Sequence, residues 1–247
     1  MKKAINEPHD IESIKKRLNK VTAHNYLGDS VLGAIDGCVT TFAIIAGTMG
    51  GGFSSIVALT LGLSNLIADG FSMALSNYQS AKSFKDKVLK TYEIEMLEVE
   101  TIPQGEREEI RQIYRKKGFE GPLLEQVVDV ITRNKERWVE TMVQEEHGLP
   151  IIPTSPVKVA TVTFIAFLSA GVCPVLPFFF GYSSQNQPFI ISFIVTGLVF
   201  LLIGFFKGYI LRLPILKSGL EILLFGGIAA LIAFSISAWV KYAYGIF

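Results

Sequence analysis

The sequence predicts an all-α, polytopic membrane protein with five transmembrane helices and a polar three-helix domain inserted between the second and third. Three observations predict it. Half of the residues are hydrophobic and only 18% are charged, against about a quarter charged in an ordinary soluble chain. The charges are segregated: residues 27–81 and 157–247 are predominantly apolar, while 82–156 is rich in Lys, Arg and Glu. Within that polar stretch the apolar positions recur three or four apart, which is the helical period.

From His9 to His24, Ile11, Ile14, Leu18 and Val21 alternate with Lys15, Lys16, Arg17 and Lys20. Residues 1–26 therefore predict a short basic amphipathic helix suited to an anionic lipid surface. No apolar run followed by a small-residue cleavage site precedes it, so no cleavable signal peptide is expected. Residues 27–81 hold the first two spans, about Leu27–Thr48 and Phe53–Ala81, separated by a turn at Gly50-Gly51-Gly52. Each is long enough to cross a hydrocarbon core of about 30 Å.

The inserted segment, 82–156, is roughly 75 residues and too long for a plain loop. Its first helix continues from the second span to about Glu100 and breaks at Thr101-Ile-Pro-Gln-Gly. The second runs from about Glu106 to Lys117, ending at Gly118. The third starts near Pro122, a residue suited to a first helical turn, and reaches about His147. Gly148, Pro150, Pro153 and Pro156 form a stiff connector. Residues 157–247 hold the last three spans, about Val157–Tyr182, Pro188–Leu213 and Ile215–Tyr244. Cys173-Pro174 and Pro177 should kink the third span or end it early, because proline lacks a backbone donor.

Basic residues fix the expected orientation. The N-terminal segment, the polar domain and the junction around Lys207, Arg212 and Lys217 hold nearly all of them, whereas the glycine turn and the Gly181–Gln187 loop hold none. The positive-inside rule places the first group in the cytoplasm and the C-terminus outside or in a lumen. Lys241 is the exception, and one snorkelling lysine does not overturn the pattern. The two cysteines, Cys38 and Cys173, sit in apolar spans without ligand spacing and read as packing residues.

Two constellations could carry chemistry. Asp36 falls inside the first span and Asp69 inside the second, with Met73 one turn after Asp69. A carboxylate at bilayer depth costs on the order of 2.5–3.5 kcal/mol and normally faces a partner, water or an ion. The structural alternative is a buried hydrogen bond between helices, and for Asp69 a local one to Asn65 or Ser72. The polar domain carries Glu95 and Glu98, Glu106 and Glu109, and Met142 with Glu146, each pair on one helical face. If the faces converge, five carboxylates and a thioether surround a small volume, which is costly unless divalent cations neutralise them. Oxygen donors suit Mg²⁺, Ca²⁺ or Mn²⁺, and the sulfur shifts the preference toward Fe²⁺. Against this, Arg107, Arg111, Arg115, Lys116 and Lys117 could pair with the same glutamates on a solvated face, and Met142 alone would be a core residue. His147 reads as a helix-end residue.

These residues carry a resemblance. Leu27-Gly-Asp-Ser-Val-Leu-Gly-Ala-Ile-Asp-Gly-Cys-Val-Thr-Thr, Ala68-Asp-Gly-Phe-Ser-Met-Ala-Leu-Ser-Asn-Tyr, the glutamate-bearing helices and Pro174-Val-Leu-Pro resemble the vacuolar iron transporter family. The resemblance covers the chain from about Tyr26 to the last span. It implies a homodimer of five-helix subunits that moves Fe²⁺, and often Mn²⁺, out of the cytosol in exchange for protons. By position it assigns the membrane pathway to Asp36 and Met73. It assigns a cytoplasmic metal site to Glu95, Glu98, Glu106, Glu109, Met142 and Glu146. A second methionine of some members is Val143 here, and a pathway glutamate of some members is Asn65, with Asp69 one turn later able to replace its charge.

The resulting expectation is a non-enzymatic exporter of ferrous iron, with manganese or other first-row divalent ions as alternative cargo. The metal is substrate and bound ion rather than cofactor, protons and membrane lipid are partners, and no nucleic acid is expected. The host would be the cell membrane in a bacterium and the vacuolar membrane in a eukaryote. A membrane-anchored metal sensor is one rival, and buried aspartates argue against a mere anchor. A di-iron carboxylate oxidase is another, but such bundles use Glu-x-x-His pairs and none occurs here.

Overall fold

The computed structural model describes residues 10–18, 26–151, 153–180, 184 and 186–245, and every regular element among them is helical. Helix α1 is Ile11–Leu18, opened by Asp10, whose carboxylate accepts a hydrogen bond from the Ser13 amide at 2.9 Å. His9 and residues 19–25 of the expected amphipathic segment lie outside the described residues. Helix α2 is Leu27–Gly51, closed by Gly52 at φ 74°. Of the expected three-glycine turn, Gly50 and Gly51 are still helical and Gly52 alone is the left-handed cap, a conformation that costs glycine no Cβ clash.

Helix α3, Ser55–Thr101, is a single helix of 47 residues. The apolar second span and the first polar helix are one element because no Gly or Pro pair interrupts the join between Ala81 and Lys82. It ends before Pro103, which opens α4, Pro103–Lys116. Gly118 at φ 94° turns the chain into α5, Gly121–Thr132, followed by α6, Lys135–Glu145. The single helix expected from Pro122 to His147 is thus two, and the three-helix reading of the inserted segment is corrected to α4, α5 and α6 beside the end of α3. The physical reason is Asn134, an extended residue whose side chain accepts from the Arg137 amide at 2.9 Å and starts a new helix.

Helix α7, Pro156–Gly171, has 16 residues and stops before Cys173-Pro174, as the missing proline donors require. A short 3-10 helix, Leu176–Phe179, continues the segment. The Ser192 hydroxyl donates to the Pro174 carbonyl at 2.6 Å, satisfying an acceptor left free where the helix unwinds. Helices α8, Gln187–Ile210, and α9, Ile215–Tyr244, complete the chain. Among the described residues, α2, α3, α8 and α9 are long and apolar enough to cross a membrane, and α7 is a shorter apolar helix.

Two compact units result, residues 78–156 and the remainder. The first is built on a buried apolar core that includes Val88 and Val99 of α3, Ile110 of α4, Val128 of α5, and Val139 and Met142 of α6. The second is organised by close backbone approaches. A Cβ at Gly33 would stand 2.5 Å from the Thr163 carbonyl oxygen, and one at Gly37 would overlap the backbone of Phe167. On α3, Gly70 faces the Phe167 ring, and Asn77 donates to the Thr163 hydroxyl at 2.9 Å. Lipid tails are as apolar as leucine, so helices in a bilayer associate through such close packing and buried polar bonds rather than through hydrophobic exclusion.

Because backbone blocks the added methyl, Gly37→Ala is expected to cost about 1–3 kcal/mol through overpacking. Thermal unfolding of the detergent-solubilised chain should move to lower temperature. Gly28→Ala, with open space around the added methyl, should leave it unchanged.

Candidate metal centre

The first candidate lies in the unit of apolar helices. Asn65, Asp69 and Met73 are spaced by four on α3 and share one face, and all three are half-buried. Asp36 on α2 is also half-buried and lies within electrostatic reach of Asp69. Each aspartate immediately precedes a glycine packed on Phe167, so the seam that locks α2 and α3 to α7 also fixes where the two carboxylates stand. The local alternative for Asp69 is not adopted. Among the described residues no hydrogen bond engages either carboxylate, and the side-chain nitrogen of Asn65 is buried without a partner. Thr40 bonds only the backbone carbonyl of Asp36, at 2.8 Å.

The second candidate lies in residues 78–156. Glu95 and Glu106 are buried, at 2% and 3% exposure, Glu98 is half-buried, and Glu109 and Glu146 are exposed. One carboxylate oxygen of Glu95 and one of Glu106 are buried with no hydrogen-bond partner. Leaving a buried polar atom unpaired costs on the order of 1–3 kcal/mol, so these two oxygens mark a place where another atom belongs. Burial, reinforced by the charges of Glu109, Glu95, Glu98 and Glu146, pushes the Glu106 carboxyl up to about 7. Burial likewise raises Glu109, together with the charges of Glu146, Glu95 and Glu98 and a hydrogen bond shared with Glu146. The three glutamate-bearing faces therefore meet.

Three of the basic residues named in the solvated-face alternative, Arg107, Arg111 and Lys117, turn to other acids. Arg107 pairs with Asp129, Arg111 with Glu108 and Glu125, Lys117 with Glu145, and Lys135 with Glu100. These cations hold a separate set of acids on the outside of the unit. Among the described residues no Lys or Arg pairs with Glu95, Glu98, Glu106, Glu109 or Glu146. Met142, one turn before Glu146 on α6, is fully buried in the apolar core. His147 lies just past the end of α6, as read from the sequence, and from there also reaches the cluster: its Nε2 is 2.7 Å from Glu95 Oε1 and 3.9 Å from Glu146. The signal that could have found it is Gly148-Leu149, a glycine followed by an apolar residue, which marks a chain folding back past its helix end.

The raised Glu106 and Glu109 carboxyls make pH a test of the cluster. The charged groups facing Glu106 are Glu95 and Glu98 from α3, Glu109 from α4, and Glu146 after α6. A carboxyl raised on folding stabilises the fold below its unfolded value and loses that contribution as pH rises through its folded value, here from about 4.5 to about 7. Without divalent ions, amide exchange in α4, corrected for its intrinsic pH dependence, should be slower at pH 5.5 than at pH 7.5. Glu106→Gln should slow it at pH 7.5 while weakening divalent-ion binding. If that variant were no better protected at pH 7.5, the crowding of charges would be refuted.

Comparison with known proteins places this arrangement. The VIT family model matches residues 27–238. A vacuolar iron transporter from Toxoplasma gondii is 32% identical over 91% of this chain and 77% of its own length. One from Centaurea cyanus is 32% identical over 92% and 94%. Vacuolar iron transporter 1 of Arabidopsis thaliana is 28% identical over 90% and 88%. With the family match running from the start of α2 almost to the end of α9, the chain belongs to the VIT family.

Proposed function

We propose that this protein moves ferrous iron, with manganese as a second cargo, out of the cytosol across a membrane in exchange for protons. Five spans, α2, the apolar part of α3, α7 with its 3-10 continuation, α8 and α9, put residues 78–156 and the N-terminus in the cytoplasm and the C-terminus on the far side. The positive-inside distribution supports that topology. The observation that carries the reading is the cluster of five glutamates with two orphaned buried oxygens and no Lys or Arg partner among the described residues. Named relatives that are iron transporters support the cargo.

In this mechanism Glu95, Glu98, Glu106, Glu109 and Glu146 capture the ion from a dilute cytosolic pool, and Met142 contributes a soft donor. Asp36 and Met73 then hold it, partly dehydrated, with Asp69 supplying the second charge of the pathway where Asn65 supplies none. Two facing carboxylates accept either protons or a divalent ion, and arrival of one expels the other. That competition is the simplest coupling of metal export to an opposing proton gradient. The protein works as a homodimer of such subunits.

Metal flux into sealed vesicles tests the proposal. Asp36→Ala should abolish Fe²⁺ movement while the full chain still binds divalent ions at the glutamates, and parental flux in that variant would remove Asp36 from the pathway. A pH gradient, acidic on the far side, should accelerate Fe²⁺ movement. Asp69→Asn should reduce that acceleration more than it reduces binding. Equal flux in the parent with and without the gradient would rule out exchange and leave a passive channel.

A further inference from the structure

The cluster of glutamates contains one group of different chemistry. His147 stands where α6 has just ended, and both of its neighbours hold it there. The amides of Glu146 and His147 bond the Met142 carbonyl at 2.9 and 3.4 Å, Gly148 turns the chain at φ 63°, and the Leu149 amide bonds the Val143 carbonyl at 3.0 Å. Leu149 itself is buried in the apolar core with Val143. This clasp fixes the backbone of His147, and from it the imidazole reaches the cluster, with Nε2 at 2.7 Å from Glu95 Oε1.

We propose that His147 is a direct ligand of the divalent ion, giving the site one imidazole nitrogen beside its carboxylate oxygens. The inference rests on the glutamate cluster being an ion site, as argued above. One donor atom each from Glu95, Glu146 and His147 lies within 4.8 Å of the others. Donors that share an ion at about 2.1 Å stand roughly 3 to 4 Å apart, a spacing this trio reaches by side-chain rotation. Independent support comes from Glu95, which is 2% exposed and has its second oxygen buried and unpartnered. That carboxylate therefore touches the imidazole on one side and has an open valence for a cation on the other. At 2.7 Å one proton lies between Nε2 and Glu95 Oε1; its release to solvent as the ion binds frees the Nε2 lone pair and the carboxylate to share the cation.

The consequence is selectivity. A site of carboxylates alone suits Mg²⁺, Ca²⁺ and Mn²⁺, whereas an imidazole favours ions later in the first-row series, Fe²⁺, Co²⁺ and Zn²⁺. His147 thus tilts the capture site away from the hard ions that outnumber iron in a cell.

Pulsed electron paramagnetic resonance of the full chain loaded with Mn²⁺ in detergent gives a direct reading. The parent should show echo modulation from a coordinated ¹⁴N. His147→Ala should bind Mn²⁺ without it, and the double variant His9→Ala/His24→Ala, which removes the other two of the three histidines, should keep it. The preference for Co²⁺ over Mn²⁺ in equilibrium competition should fall by about tenfold in His147→Ala. Mn²⁺ bound in the parent with no nitrogen modulation, or an unchanged Co²⁺ to Mn²⁺ ratio, would overturn the assignment of His147 and leave the glutamate site standing. Loss of neither Mn²⁺ nor Co²⁺ binding in Glu106→Gln/Glu109→Gln would overturn the glutamate site, and His147 with it.

Discussion

The approach of α7 to α2 and α3 around Phe167 is the constraint on which the apolar unit depends. Apolar side chains on these helices gain nothing by leaving lipid for one another, so cohesion comes from dispersion at short range and from buried polar bonds. Gly33 and Gly37 bring two backbones together, Gly70 seats the Phe167 ring, and Asn77 closes the seam on Thr163. Asp36 and Asp69, each beside one of these glycines, inherit a position defined by backbone rather than by flexible side chains. A pair of like charges held without a hydrogen-bonding partner among the described residues is tolerable only where protons or cations can reach it.

The unit formed by residues 78–156 solves the opposite problem. Its apolar core is strong enough to force glutamates on three helix faces together, and four of its cations, Arg107, Arg111, Lys117 and Lys135, are held elsewhere, in pairs with Glu100, Glu108, Glu125, Asp129 and Glu145. Exposed pairs of this kind each stabilise by at most about 1 kcal/mol. Their larger effect is to keep arginine and lysine from neutralising the cluster. Segregating the two sets of acids makes one face a scaffold and leaves the other available for ligands.

Much of this was legible in the sequence, for reasons that differ element by element. The ends of α3, α4 and α9 are marked by Pro103, Gly118 and Pro214, whose backbone restrictions act locally and need no tertiary context. That Glu95 and Glu98, and Glu106 and Glu109, each share a helix face was legible as helical spacing, but spacing alone could not say whether the faces would meet or which acids the arginines would take. That choice is made across elements, by Arg107 reaching α5 rather than the cluster. The break at Asn134 escaped a reading based on periodicity because the apolar positions keep nearly the same phase on both sides of it. His147 escaped because its role is set by the chain reversal at Gly148 and by Leu149, two residues whose effect is felt on their neighbour.

Asp36-Gly37 and Asp69-Gly70 have a chemical consequence beyond ion handling. Aspartyl-glycine is the dipeptide most open to attack by its own following amide nitrogen on the side-chain carboxyl, a cyclisation that ends in an isomerised backbone and a displaced carboxylate. Both glycine amides here lie inside long helices, where the nitrogen is committed to the backbone ladder and the required rotation about the aspartate is blocked. The packing against Phe167 adds a second restraint on the same bonds. The fold therefore acts as a preservative for its own two carboxylates, and a chain that stayed unfolded for long would age first at these two aspartates.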